Sequence, residues 1–259
     1  MLDYSFTYGN LEFFILIFMR VTSFVFIAPF FSMNNTPRRI RIVLSFFISY
    51  ILFNIMPHDG VEYTSLFGYT LIVLKEVLTG LIIGFGANLC MMIVNFAGHM
   101  ADMEMGLSMV SIFDPATRSN VTISGVYYNY TIMLMLILSG MHRYLIKALV
   151  ETYTLIPING QIFHINRLMD GVIEFMGAYV IIGFRICLPI FATMILLNAV
   201  LGILAKISPQ LNMFAVGIQI KVLTGLGILF FSSVMLPDAA NFIYEQMKRM
   251  VVTFVEAMS

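Results

Sequence analysis

LFGYTLIVLKEVLTGLIIGFGANLCMMIVNF, residues Leu66–Phe96, is the stretch that decides the fold class. Its only charges are the adjacent Lys75 and Glu76, and it contains no proline. About 20 apolar residues cross the hydrocarbon core of a bilayer as a helix, so this block is too long for a single crossing. It lacks the repeated alternation over about 10 residues that a spanning barrel strand needs. Read as a helix, it points Lys75 and Glu76 about 100° apart, so the two charges meet different neighbours. Gly80 and Gly84 form a GxxxG pattern with Gly86 close by. That spacing lets two helix backbones approach closely, although it is common in any glycine-rich span.

The same texture extends in both directions. Leu11–Phe31 is apolar apart from Glu12 and Arg20, and Ile42–Met56 is apolar but short for a span. Val121–Ser139 follows, then Gly171 to about Ala205 with Arg185 and Pro189, again too long for one crossing. Phe214–Leu236 holds Lys221. Of 259 residues, 60% are hydrophobic and 11% charged, against about 25% charged in an ordinary soluble domain. The mean hydropathy is +0.93. These values exclude a typical cytosolic enzyme and a disordered chain. Fourteen basic residues balance fourteen acidic ones, so no overall basic field exists for nucleic acid. Cys90 and Cys187 lie in apolar runs and make no disulfide framework. The expected fold is all-α: a polytopic membrane-type protein of long, kinked helical hairpins. Its first ten residues hold Asp3 and no Lys or Arg, which is not a cleavable signal, so the first helix is expected to be retained.

Orientation stays open. Arg38, Arg39 and Arg41 are the densest basic cluster and place their loop in the cytoplasm. Lys206 and Lys221 agree with six alternating crossings, but Lys248 and Arg249 then fall outside. Three stretches interrupt the apolar blocks. Gly98–Ser124 carries the turn signal Asp114-Pro115. Gly140–Asp170 opens with an amphipathic pattern at Leu145, Ala148 and Leu149 and turns at Pro157–Gly160. Ile207–Asn212 contains Ser208-Pro209. Residues 238–259 read as an amphipathic helix with the stripe Ile243, Met247, Met250, Val251, Phe254 and Met258, capped by Asp238.

Signatures of catalysis are missing: no HExxH, GxSxG or Gly-Lys-Ser/Thr phosphate loop occurs. No cofactor motif is present. His99, Asp102 and Glu104 match no standard metal-ligand spacing, and read as solvated loop groups. His142 reads as the start of an interfacial helix. The charges within apolar blocks say more. An ionisable group at membrane depth costs about 2.5–3.5 kcal/mol on insertion scales. Arg20 and Arg185 must therefore face a partner, a water-filled cavity or another chain, or be neutralised locally by a carboxylate or helix-end carbonyls. Methionine is abundant, 21 residues. Met100, Met103, Met105 and Met109 cluster before Phe113-Asp114-Pro115. They make either a deformable apolar stopper or ordinary packing between helices.

Read in order, these segments resemble the FliR family of the type III secretion export apparatus, whose injectisome counterpart is the SctT (YscT/SpaR) group. The resemblance rests on Arg20, Pro29-Phe30-Phe31 and Pro37-Arg38-Arg39-Ile40-Arg41; then Glu76, Gly80, Gly84 and Phe85; then Gly98, Asp102, Met105-Gly106 and Phe113-Asp114-Pro115; then Gly140, His142 and Leu145. Its most specific part is Leu197–Gly202 followed by Pro209-Gln210-Leu211-Asn212-Met213-Phe214 and Gly217. The chain departs from the family pattern at Gln219, Thr122 and Ala101. The resemblance implies a non-enzymatic gate subunit in the bacterial inner membrane, at the flagellar basal body, with much of the complex above the membrane plane. It implies FliP-like and FliQ-like partners, an FlhB-like subunit at the entrance, unfolded export substrates, and no nucleic acid. It also implies one export-gate domain over 1–259, with a FliP-like part at 1–170 and a FliQ-like part with the C-terminal helix at 171–259. A pore-plug loop would contain Met103, Met105, Gly106, Met109, Phe113, Asp114 and Pro115. Arg20, Lys75, Glu76 and Arg185 would serve assembly as buried charges, Gly80 and Gly84 helix packing, and Pro209, Gln210, Asn212 and Gly217 the family turn. Flagellar use is favoured over injectisome use by length and motif spelling. A secondary transporter would show an internal repeat between halves, and none is visible; an intramembrane enzyme would need a convergent nucleophile or metal set.

Overall fold

The computed structural model describes residues 8–33, 36–57, 63, 65–107, 112–114, 119–208, 210 and 213–259. The chain order is α1 (Tyr8–Ile27), α2 (Arg38–Ile55), α3 (Leu66–Met105), β1 (Ile112–Asp114), β2 (Ser119–Val121), α4 (Ile123–Leu138), α5 (Met141–Leu155), α6 (Ile165–Ile207), α7 (Met213–Ser232), a 3₁₀ turn (Ser233–Met235) and α8 (Leu236–Glu256). The all-α membrane-type expectation holds: four helical stretches are long and apolar enough to cross a membrane, among them the 40-residue α3 and the 43-residue α6. Blocks too long for one crossing are thus single continuous helices of about 60 Å or more, at 1.5 Å per residue. Pro189 is accommodated inside α6, where the Thr193 hydroxyl donates to the Pro189 carbonyl at 2.8 Å. The three arginines expected in a loop belong to helix: Arg38, Arg39 and Arg41 form the first turn of α2, behind Pro37. Pro37 has φ −56° and extended ψ 140°, a fixed geometry that ends the preceding turn and starts the helix.

The chain forms two compact units built from interleaved segments. The first comprises residues 1–89, 140–175 and 246–259. Here α1 buries Phe13, Leu16, Ile17, Val21 and Phe24 at helical spacing, and Ala28 is buried just beyond its end. Its Phe14 ring meets Phe46 and Phe53 of α2 edge-on, with centroids 5.6 and 5.8 Å away. Near the other side of α1, Gly80 and Gly84 of α3 let the two backbones touch. A Cβ on Gly80 would collide with the Arg20 carbonyl oxygen and the Ser23 hydroxyl, and one on Gly84 would stand 3.1 Å from the Phe24 carbonyl oxygen. The GxxxG face is therefore occupied by a helix of the same chain. The amphipathic pattern after Gly140 is α5, which buries Met141, Leu145, Leu149 and Tyr153. Gly140, at φ +79°, separates it from α4. Residues 162–164 are tied to the C-terminus by Ile162 N–H to Met258 O (3.1 Å) and His164 N–H to Ala257 O (3.0 Å).

The second unit comprises residues 90–139 and 176–245. The end of α3 crosses the start of α4 so closely that a Cβ on Gly98 would strike Gly125. β1 and β2 pair antiparallel, Phe113 opposite Asn120. Of the stripe expected on the last helix, Ile243 is buried here, and Met247, Met250, Val251, Phe254 and Met258 are buried in the first unit. One detail differs: α8 grows directly out of the 3₁₀ turn at Leu236, so Asp238 sits in its first turn and does not cap it. Pro237 also falls in this first turn, where its missing N–H has no intrahelical acceptor to lose.

Candidate functional site

The densest buried chemistry lies in the first unit, around two fully buried charges. Arg20 projects from the middle of α1 and Glu76 from α3; Arg20 Nε donates to Glu76 Oε2 at 2.6 Å, with both side chains wholly shielded from solvent. The carboxylate that neutralises Arg20 thus belongs to the same chain. Arg20 Nη1 donates to the Ile156 carbonyl at 3.1 Å, and the guanidinium lies 4.2 Å over the Tyr153 ring. Tyr153 in turn donates its hydroxyl to the Ile17 carbonyl, 3.2 Å away. On the far side of the pair, Glu76 Oε1 accepts from Gln161 Nε2 at 2.6 Å and from the Asn159 backbone N–H at 3.3 Å. Arg20 Nε and Nη1 and both Glu76 carboxylate oxygens are paired in this network, whereas Arg20 Nη2 and Gln161 Oε1 are buried without a partner among the described residues. A buried ion pair depends on such bonds, because desolvation otherwise outweighs the Coulombic gain.

The network ties the turn after α5 to α1 and α3. That turn needs a left-handed residue, supplied by Asn159 at φ +66°, and closes through Gly160 N–H to Pro157 O at 2.9 Å. Lys75, one position from Glu76, points elsewhere as helical geometry requires: its Nζ reaches Asn159 Oδ1 at 3.3 Å on the exposed side. Two adjacent charges thus grip the same turn from different angles. Arg20 and Glu76 were legible as buried charges. Tyr153, Ile156, Asn159 and Gln161 were not, since one contributes through its ring, two partly or wholly through backbone groups, and Gln161 sits in a loop with no pattern to mark it.

A second polar site lies where α3 ends. Asp102, fully buried, accepts from the Ser124 backbone N–H at 3.1 Å and from the Ser124 hydroxyl at 2.5 Å. The Thr122 hydroxyl accepts from Gly125 N–H at 3.2 Å. Asp102 thus serves the Ser124 amide at the start of α4, which has no acceptor within the helix, and an anion there also meets the positive end of the helix dipole. It is a buried cap, not the solvated loop group expected from the sequence. Met105, three residues on, is fully buried, and a Cβ on Gly225 of α7 would collide with its sulfur. Met103 is 64% exposed. The structure therefore separates residues that the sequence grouped together. Gly106 has φ +78° and ends α3. Phe113 and Asp114 lie in β1; Met109 and Pro115 fall outside the described residues.

Arg185, on α6, has its guanidinium 4.5 Å over the Phe242 ring, beside a cavity of about 390 Å³ lined also by Ser232, Asp238 and Glu245. Gly217 is in α7 and Gln210 in the preceding turn, while Pro209 and Asn212 lie outside the described residues. Nothing in either site presents a nucleophile next to a base; the arrangement fastens helices.

Comparison with known proteins gives the rest. The family model described as "Bacterial export proteins, family 1" matches residues 11–247. The chain is 29% identical over 220 residues to the flagellar biosynthetic protein FliR of Buchnera aphidicola subsp. Acyrthosiphon pisum, covering 85% of this chain and 84% of that one. It is 30% identical over 213 residues to FliR of Bacillus subtilis, covering 81% of each, and 27% identical over 215 residues to FliR of Escherichia coli, covering 82% of this chain and 80% of that one. With four helical stretches of membrane type and a match that spans nearly its whole length, the chain belongs to bacterial export protein family 1, the non-enzymatic FliR family.

Proposed function

We propose that this chain is the FliR-type subunit of the flagellar protein-export gate in the bacterial inner membrane. The observation that carries the reading is the family match over residues 11–247, to relatives that are each named flagellar biosynthetic protein FliR. In this role it assembles with FliP-like and FliQ-like subunits, with an FlhB-like subunit at the entrance, and lines part of the path for unfolded substrates. The part up to residue 170 acts as a FliP-like half, the rest as a FliQ-like half. The segment around Gly106–Ser124 serves as the plug. The lengths of α3 and α6, 40 and 43 residues, support an assembly that rises well out of the membrane plane, because about 20 residues already cross the hydrocarbon core.

The test is complementation and co-purification. Expressed from its own locus in a strain deleted for it, an affinity-tagged copy restores swimming and brings down FliP- and FliQ-like chains in one complex. A tagged chain that restores swimming yet purifies without either partner overturns the proposed assembly. Failure of the deletion strain to lose swimming overturns the flagellar role.

A further inference from the structure

Helix α2 is built inside out. Its protein-facing side carries Ser45, Ser49 and Leu52, all buried. Its outward side carries Ile40, Ile42, Val43, Phe46, Phe47, Tyr50, Ile51 and Ile55, each at least 47% exposed. In water that arrangement is unfavourable, since each large apolar side chain forgoes its transfer free energy by staying exposed. Two of its polar side chains are satisfied by the helix backbone: Ser45 donates its hydroxyl to the Arg41 carbonyl at 2.8 Å and Asn54 its amide to the Tyr50 carbonyl at 2.7 Å, so neither depends on water.

The charge on α2 is all of one sign and all at one end. Arg38 and Arg39 are exposed in the first turn, and no acidic residue occurs anywhere in the helix. Arg41 is already engaged, with Nη2 donating to the Met33 carbonyl at 2.5 Å and the guanidinium 5.9 Å from the Phe26 ring. Among the described residues no carboxylate forms an ion pair with Arg38 or Arg39. The 18 residues of α2 span about 27 Å, close to the 30 Å of a hydrocarbon core. A cationic end and an apolar flank of that length are jointly complementary to one surrounding, a lipid bilayer with anionic headgroups.

We propose that α2 presents a binding site for anionic phospholipid, with Arg38 and Arg39 on the headgroup phosphate and Ile42, Val43, Phe46 and Phe47 along the acyl chains. This rests on the membrane location of the proposed function and goes beyond it by naming a lipid class and the residues that select it. A juxtamembrane basic residue contributes about 1 kcal/mol toward an anionic leaflet, which corresponds to about a fivefold preference per arginine.

The chain contains no tryptophan, so Phe47→Trp, at a 59% exposed position, creates a single reporter on the outward face. The full-length F47W chain is reconstituted into vesicles whose acyl chains are brominated, with either phosphatidylglycerol or phosphatidylcholine headgroups. Flotation of the vesicles reports membrane association. The expected result is quenching in both lipids, with phosphatidylglycerol preferred about fivefold or more at low salt. The preference falls in R38Q/R39Q and survives in R38K/R39K. It also weakens as salt rises, as exposed charge interactions do. Repeating the measurement on the co-purified complex, as the difference from the parent chain, separates lipid from protein as the cover of this face. Absence of quenching there means that a protein covers α2. Equal quenching by the two lipids means a lipid contact without headgroup selection, and a preference that persists in R38Q/R39Q means that other residues select. Each of these overturns the site while leaving the membrane reading intact. A chain that does not float overturns both.

Discussion

Arg20 carries the sharpest consequence at the scale of single residues. Removing one member of a buried pair leaves the other charge uncompensated, which costs about 3–5 kcal/mol, whereas replacing both with apolar groups of similar volume is often neutral. Arg20→Ala should therefore lower the thermal midpoint of the detergent-solubilised protein sharply, and R20M/E76M should recover most of the loss. If R20A and the double variant melt together, the pair is incidental to stability. Gly80 makes a second case. A methyl group there meets the backbone of α1, which cannot move aside as a side chain would, so Gly80→Ala should cost about 1–3 kcal/mol. Gly227, on α7 with nothing near its added Cβ, is the control: Gly227→Ala should be neutral or gain up to about 1 kcal/mol of helix propensity. Differential scanning fluorimetry of the two variants in one detergent checks both. The two methionines of the α3 terminus also part company. Met105→Ser puts a hydroxyl where a buried thioether packs and should destabilise by about 2 kcal/mol or more, while Met103→Ser, mostly exposed, should leave the melting curve where it was.

Elements are joined here by backbone approach and by caps. α3 lies against α1 through Gly80 and Gly84, and against α4 through Gly98 and Gly125. Where two helices come that close, side chains cannot supply the adhesion, and polar groups at the margins do. Asp102 is one of these: its carboxylate takes the Ser124 amide and hydroxyl at the head of α4. Asp102→Ala should cost about 1–3 kcal/mol, the range for losing a cap and stranding buried donors, and the loss should be local. Hydrogen exchange of the amides of residues 124–126 should accelerate while that of α5 does not. Uniform acceleration across both helices would mean that Asp102 supports the fold as a whole. The amphipathic elements, α5 and the last helix, were readable from their periodicity, because burial on one side alone leaves that imprint. The long apolar helices leave none, since lipid, protein and partner all accept the same side chains.

For the molecule as a whole, the plug reading makes the demanding prediction. A pore that passes an unfolded chain must hold back ions when idle, and a hydrophobic constriction does so by excluding water. With Met105 serving helix packing, the segment to remove is 108–117, which begins beyond it. The deletion should leave the complex assembled and make the cells leaky, seen as slowed growth under salt stress. An assembled variant in a tight membrane would contradict the plug role, and loss of assembly would make the segment structural.

Composition and block length alone determined that this chain is all-helical and of membrane type, because long runs of apolar side chains leave a backbone no other way to satisfy its hydrogen bonds in lipid. Spelling in order, from Arg20 to the Pro209-Gln210-Leu211-Asn212 motif, determined the family. What these could not reveal is pairing. Arg20 and Glu76 are 56 positions apart, and nothing in either neighbourhood names the other; both a local carboxylate and a foreign one fit the sequence. The same holds for the glycine face, which suits any helix close by and which α1 happens to fill. Only the tertiary structure decides such questions. Desolvation makes a buried charge costly wherever it lies, but which group relieves it depends on distances that only the folded chain brings about.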